Sequence, residues 1–396
     1  MKGVASRLLA LALLGALGAL LFAWSGLYNV GATAGHWPAV GWLLGYTMKK
    51  SVELHAMPLA PPPLDAAALI ERGAGHYETG CAPCHGAPGW ARNRIPRNML
   101  PQPPYLPPRI ERWNEKQLFW LVKHGLKYTG MPSWPAARRD DEVWAVTAFM
   151  LRLPDMDAEE YAALALGAPA LALESPEEPP APDAPGTLFA LTDAALIGAC
   201  ARCHGADGKG RASGAFPRLD IQTPDYLYRA LRDYAEGTRP SGIMEPIAAA
   251  LGEDETARLS RHYSGAAGAS AAPTRVGTVS AAEQALLDRG LEIAAIGIPG
   301  DQVPPCASCH GLEEGPENPL FPALAGQYSG HLSLQLELWK AGARGEGAYS
   351  QIMQVIAERL SAEEIEAVAR YYASLAPAGG LAQAASGQAV SEDAAP

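Results

Sequence analysis

Residues 8–24 form an uninterrupted apolar stretch, preceded by Lys2 and Arg7. A helix without a polar face has nothing to turn toward water. The stretch therefore predicts a membrane-spanning helix or the core of an export signal. Lengthened through residues 25–30 it reaches spanning length. Ala32-Thr33-Ala34 resembles a cleavage site but lies far beyond the apolar core. Both points favour a retained anchor over residues 1–30. Lys2 and Arg7 would hold the N-terminus in the cytoplasm and send the body of the chain outward. The connecting segment, residues 31–63, groups Trp37, Trp42, Leu43, Leu44, Tyr46 and Met48 ahead of Lys49 and Lys50. That pattern fits an interfacial helix, or a helix packed at the base of the next unit.

From residue 64 a longer pattern appears three times. Each unit reads as a leading helix, Cys-x-x-Cys-His-Gly, a Pro-rich loop, a middle helix, a methionine loop and an amphipathic closing helix. The first unit spans 64–160. Its predicted helices are 64–80 with Asp65 as N-cap, 114–124 capped by Asn114, and 140–153 stopped by Pro154. Val143, Trp144, Val146, Thr147, Met150 and Leu151 give the last of these its helical spacing. Residues 161–187 are rich in Pro and acid and read as an extended linker. The second unit, 188–265, predicts a middle helix over 224–237 and a closing helix over 253–264. Residues 266–279 form a small-residue linker. The third unit, 280–376, predicts helices over 280–296, 328–341 and 361–375, with Ser361 and Glu364 as a capping box. Residues 377–396 predict a disordered tail. The fold class is all-α: three tandem helical domains after an N-terminal transmembrane helix.

Length agrees, since 396 residues suit two to four domains. The net charge of −11 argues against nucleic acid as a partner. That charge is uneven. Residues 65–154 carry a net +4 and residues 266–376 a net −7. The membrane-proximal unit is basic and the distal one acidic.

The chemistry lies in Cys81-Ala82-Pro83-Cys84-His85, Cys200-Ala201-Arg202-Cys203-His204 and Cys306-Ala307-Ser308-Cys309-His310. Each is the attachment signature of a c-type haem. Two thiols add across the vinyl groups, and the adjacent His becomes the proximal iron ligand. All six cysteines sit in these motifs, which leaves none for a disulfide or a zinc tetrad. The expected cofactors are three covalently bound haem c groups. Such haem is attached outside the bacterial inner membrane, so motifs and apolar segment point to one compartment, the periplasm.

Distal ligands follow from position. Met244 and Met353 occupy matching strings, IMEPIAAALGEDE and IMQVIAERLSAEE, between middle and closing helices. In the first unit Met131 holds the equivalent place, ahead of the closing helix. Met99 is an alternative in a Pro-rich loop, and Met150 belongs to the closing helix. His76, His124, His262 and His331 are bis-His alternatives, although a lone helical histidine is more often structural. A His/Met pair closes the coordination sphere and suits electron transfer rather than oxygen chemistry. No Ser/His/Asp or paired-carboxylate constellation accompanies the motifs, and no catalytic residue is expected.

The strings CARCHGADGKG, FPRL and FPALAGQY, with the IMxxIA segments, resemble the di-haem class I cytochromes c over residues 190–376. The second unit departs from the pattern with Leu219-Asp220-Ile221-Gln222 where the third has Leu324-Ala325-Gly326-Gln327. The first unit, with LFWLVKHGLKYTGMPSW, resembles a single-haem class I domain. The resemblance implies electron transfer. The expected partners are redox proteins: a quinol-oxidising complex or soluble carrier as donor, a terminal oxidase or reductase as acceptor. The alternative is the cytochrome subunit of a periplasmic alcohol or sugar-acid dehydrogenase. The three haems would form a relay if the units pack. The linker alternatively lets the first unit swing on a tether.

Overall fold

The computed structural model describes residues 2–107, 109–167, 193–211, 213–265, 280–345, 347 and 349–377. Most of the linker expected at 161–187, the linker at 266–279 and the tail beyond 377 lie outside them. Among the described residues the regular structure is helical, apart from one isolated bridge between Ile298 and Val303.

Helix α1, Lys2–Ser25, contains a 23-residue apolar span, Gly3–Ser25, with none of its surface buried in the protein. Its length is about 35 Å at the α-helical rise, enough to cross a hydrocarbon core. Helix α2, Pro38–Ala56, has an exposed first half and a buried end. Its first half leaves Trp42, Leu43, Leu44 and Tyr46 exposed, while Val52 and Ala56 near its end are buried. That end packs on α6, Glu115–His124, where His55 meets Trp120.

In the first unit, α3 (Ala67–Gly80) crosses α7 (Asp140–Arg152). The crossing depends on Gly73, whose missing Cβ would fall inside the carbonyl oxygen of Ala145. The third unit repeats the device. In α13 (Ala281–Ala295), a Cβ on Gly290 would overlap Ala367 of α17, Ala362–Ser374. Asp65 is not the cap of α3: the N-cap is Ala66, without a side-chain bond. Asn114 does cap α6, with Gln117 closing the box, and Ser361 with Glu364 caps α17.

Three differences from the sequence pattern are helical. The expected linker begins as helix α8, Ala158–Leu166, capped by Asp157 and docked on α3 through the fully buried Tyr161. Its acidic first turn suits a helix N-terminus as well as it suits a linker. The segments carrying Met244 and Met353 are helices rather than loops: α11, Met244–Ala249, and α16, Ser350–Arg359. The remaining helices are α4 (Ala82–His85), α5 (Arg94–Arg97), α9 (Asp193–His204), α10 (Pro224–Ala235), α12 (Glu253–Gly265), α14 (Ala307–His310) and α15 (Ser329–Lys340).

The first unit makes contacts with both of the others. Ile243 of the second unit lies in the same apolar cluster as Phe119, Trp134 and Trp144 of the first. Arg211 of the second unit pairs with Glu71 of α3 at 2.9 Å and also bonds the Leu164 carbonyl of α8. Arg138 of the first unit donates to the Ala341 carbonyl of the third at 2.8 Å. Side chains from both sides make the contact.

Candidate haem sites

Each Cys-x-x-Cys-His string forms a helical turn, α4, the end of α9 and α14. The following glycine takes φ of 77°, 76° and 66° at Gly86, Gly205 and Gly311, a region open to glycine, so the chain leaves the turn sharply. The six cysteines form no disulfide. Burial pushes Cys81 up to about 12, and Cys200 and Cys306 up to about 11, so these stay thiols. Among the described residues no three His, Cys, Asp or Glu side chains gather as a metal cage. Each motif thus brings two cysteines and a histidine together without the further ligands that a zinc tetrad needs.

The histidines share a partner that sequence reasoning missed. Nδ1 of His85 donates to the Pro104 carbonyl at 3.0 Å, Nδ1 of His204 to Pro217 at 3.4 Å, and Nδ1 of His310 to Pro322 at 3.0 Å. With the proton held on Nδ1, Nε2 is left bare as a lone-pair donor to a metal. Burial lowers the pKa of all three imidazoles, which keeps them neutral. Part of the signal was present in the sequence: FPRL and FPALAGQY place their prolines 13 and 12 residues after the motif histidine, while PPYLPP of the first unit lies farther, at 19. A second repeated bond steadies the turn. Tyr77 donates to the Gly86 carbonyl at 2.7 Å, and Tyr372 to Gly311 at 3.0 Å.

The methionines are placed as follows. Met131 precedes Pro132 in a loop tied to the end of α6, where Leu126 N–H bonds the Met131 carbonyl at 3.1 Å. The Met99 methyl lies against Gly130, so both first-unit candidates come to one place. Met150 is buried in the core. Met244 opens α11, its N–H accepted by Ser241 Oγ at 3.0 Å. Met353 lies within α16 and is half-buried. Among the histidine alternatives, His124 tilts against Trp120 and His262 reaches the Ala206 carbonyl at 3.3 Å. His76 is buried beside Trp134 with Nδ1 unbonded.

Poorly paired cations supply a test of whether haem fits. Arg239 is buried, Arg72 and Arg344 are half-buried, and none of the three, one from each unit, forms an ion pair among the described residues. The Nε of Arg72 is buried with no hydrogen bond. Arg239 lies over Tyr234 at 4.4 Å and Arg344 over Trp339 at 5.0 Å. Burial, then the nearby Arg239, push Arg344 down to about 9. A cation partly withdrawn from water without a counter-ion is costly. Haem brings two carboxylates of its own, so these arginines, the thiols and the bare Nε2 atoms all fit that group.

The units meet around these sites. In α3 of the first unit a Cβ on Gly75 would lie 3.3 Å from Cys203 Sγ and 3.0 Å from Phe216 of the second. The second and third units clasp each other reciprocally. Gln327 brackets the backbone of Arg218, and Gln222 brackets that of Ala323. The second unit's departure from the repeat is a matched pair: Arg218 and Asp220 bond each other at 2.9 Å where the third unit has Ala323 and Ala325.

Comparison with known proteins finds cytochrome c relatives. The family described as cytochrome c oxidase, cbb3-type, subunit III, matches residues 68–150, and the family described as cytochrome c matches residues 304–376. The chain is 36% identical over 179 residues to a thiosulfate dehydrogenase electron acceptor of Stutzerimonas stutzeri, covering 45% of this chain and 79% of that one. It is 30% identical over 204 residues to cytochrome c4 of Azotobacter vinelandii, covering 48% and 92%. A solved cytochrome c4 from Acidithiobacillus ferrooxidans is 28% identical, covering 44% of this chain and 98% of that one, with a TM-score of 0.39.

Proposed function

The chain belongs to the multi-haem class I cytochromes c, and we propose that it is a tri-haem electron carrier tethered to the periplasmic face of the bacterial inner membrane. Three covalent haems would be held by Cys81 and Cys84, Cys200 and Cys203, and Cys306 and Cys309. Bound haem would supply a one-electron iron couple that the side chains lack. The chain's own residues do the rest. Pro104, Pro217 and Pro322 orient the proximal His85, His204 and His310. Met131, Met244 and Met353 would serve as the second iron ligands, which would disfavour oxygen chemistry. Arg72, Arg239 and Arg344 offer cations to the haem carboxylates. The observation that carries the reading is the histidine-to-proline bond, made three times beside three Cys-x-x-Cys pairs.

The units would act as a relay, since the first packs against the second at Cys203 and the second clasps the third. The first unit, basic and next to the membrane, suits an acidic acceptor such as an oxidase subunit, and its family match supports that side. The acidic third unit suits a basic donor. Helix α1 supports anchoring, and a cleaved signal is the other outcome. A second reading, the cytochrome partner of a periplasmic dehydrogenase, is favoured by the relative named as an electron acceptor of thiosulfate dehydrogenase. Thiosulfate thereby joins alcohols and sugar acids as a substrate to test.

The deciding experiment reduces the purified holoprotein without oxygen, adds membranes containing terminal oxidases, and admits oxygen. Rapid cyanide-sensitive oxidation supports the carrier to an oxidase. No oxidation, with rapid reduction by a periplasmic dehydrogenase and its substrate, supports the second reading.

A further inference from the structure

Glu142 belongs to α7 of the first unit and is buried, 3% exposed. Its carboxylate spends its oxygens across a unit boundary. Oε2 accepts from Trp134 Nε1 at 2.9 Å and from the backbone N–H of Gly242 at 2.7 Å. Oε1 accepts from Ser241 Oγ at 2.6 Å and faces Arg139 at 3.0 Å. Trp134 follows Met131 by three residues, and Gly242 precedes Met244 by two. One carboxylate therefore ties together the two segments that carry the first and second distal methionines.

The tie continues to the methionine itself. Ser241 Oγ gives its proton to Glu142, and its lone pairs accept from Met244 N–H at 3.0 Å and Ile243 N–H at 3.3 Å. Those N–H groups open α11 and have no earlier carbonyl to bond. Arg139 adds a bond to the Pro240 carbonyl at 2.9 Å. Gly242 is required by closeness, since a Cβ there would enter the Trp134 indole. A buried, charge-assisted network of this kind holds its members in one arrangement.

We infer that Glu142 is a positioning residue for the second haem site: through Ser241 and Gly242, the first unit sets where Met244 stands. Docking of the first unit and distal ligation in the second are then one structural event. The inference rests on Met244 being the distal ligand of that site.

The test uses full-length holoprotein and the haem-shifted methionine methyl resonances of the reduced state, assigned with Met244→His and Met353→His. Glu142→Gln keeps the shape but cannot accept four contacts. Ser241→Ala keeps the charge and removes the bond to Met244 N–H. Both should shift or broaden the Met244 resonance and move the second haem's midpoint potential, while the Met353 resonance and the third haem stay unchanged. Unchanged Met244 signals in both variants, or equal changes at Met244 and Met353, would overturn the inference while leaving the ligand assignment standing. If Met244→His itself changes no resonance, the assignment fails and the inference with it. Should Glu142→Gln not accumulate folded, Arg139→Gln, which removes another first-unit bond to this segment, takes its place: a Met244 shift without a Met353 shift supports the inference, and an unchanged Met244 resonance overturns it.

Discussion

Gln327 of the third unit brackets one residue of the second, Arg218. Its Oε1 accepts from the Arg218 N–H and its Nε2 donates to the Arg218 carbonyl, both at 2.9 Å. Gln222 does the same to Ala323 in return, at 3.0 and 2.9 Å. The two glutamines occupy equivalent places in the repeat, so the contact is self-complementary, like that of a two-fold dimer. Each bracketed residue follows the proline whose carbonyl accepts from a motif histidine, Pro217 from His204 and Pro322 from His310. The clasp thus ties the two histidine-bonding segments together.

Replacing Gln327 by Leu leaves the buried N–H and carbonyl of Arg218 without partners. The expected loss is about 1–3 kcal/mol for each group. Denaturant unfolding of the holoprotein should show a lower midpoint and, if the units separate, a second transition. An unchanged curve would mean that water satisfies these groups.

Met353→Ala and Met244→Ala should each open one haem while leaving its covalent attachment intact. About one third of the methionine-to-iron charge-transfer intensity should disappear in each variant. The opened site should bind carbon monoxide when reduced and have a lower potential. Met131→Ala should do likewise in the first unit; if Met99→Ala does so instead, Met99 is the ligand.

Acid should destabilise the first unit through His76. Burial, then the neighbouring Arg72 and Arg139, lower its pKa from 6.5 to about 3. Between those values the unfolded chain binds the proton and the folded one does not. Stability therefore falls as pH drops through this window, by up to about 1.4 kcal/mol per pH unit. His76→Gln should flatten the dependence of unfolding free energy on pH between about 6 and 3. An identical slope would remove His76 as its source.

Arg344 should matter for redox poise. A cation near an iron centre disfavours the oxidised, more positive state. Arg344→Gln should lower the potential of its nearest haem and leave the histidine-ligand spectrum unchanged. Potentiometric titration of the holoprotein reads both.

Deleting residues 1–30 and supplying a cleavable export signal should release the protein from membranes without altering its haem spectrum. Retention in the membrane fraction would shift the anchor to the exposed Trp42, Leu43, Leu44 and Tyr46 of α2.

The sequence alone determined the attachment chemistry, because covalent haem binding needs its cysteines and histidine contiguous. It also determined the helical repeat, since apolar spacing and caps such as Asn114 and Ser361 act over a single turn. The helices α11 and α16 escaped it because a short methionine-bearing segment reads equally as loop. Helix α8 escaped because its acidic first turn resembles linker. Only the tertiary structure decided that the units pack. Glu142 reads in sequence as one more acid at a helix start, and Gln222 and Gln327 as polar loop residues. Their roles exist only where the chain brings residues about a hundred positions apart within hydrogen-bonding distance. Partnerships of that range leave no periodic trace along the chain.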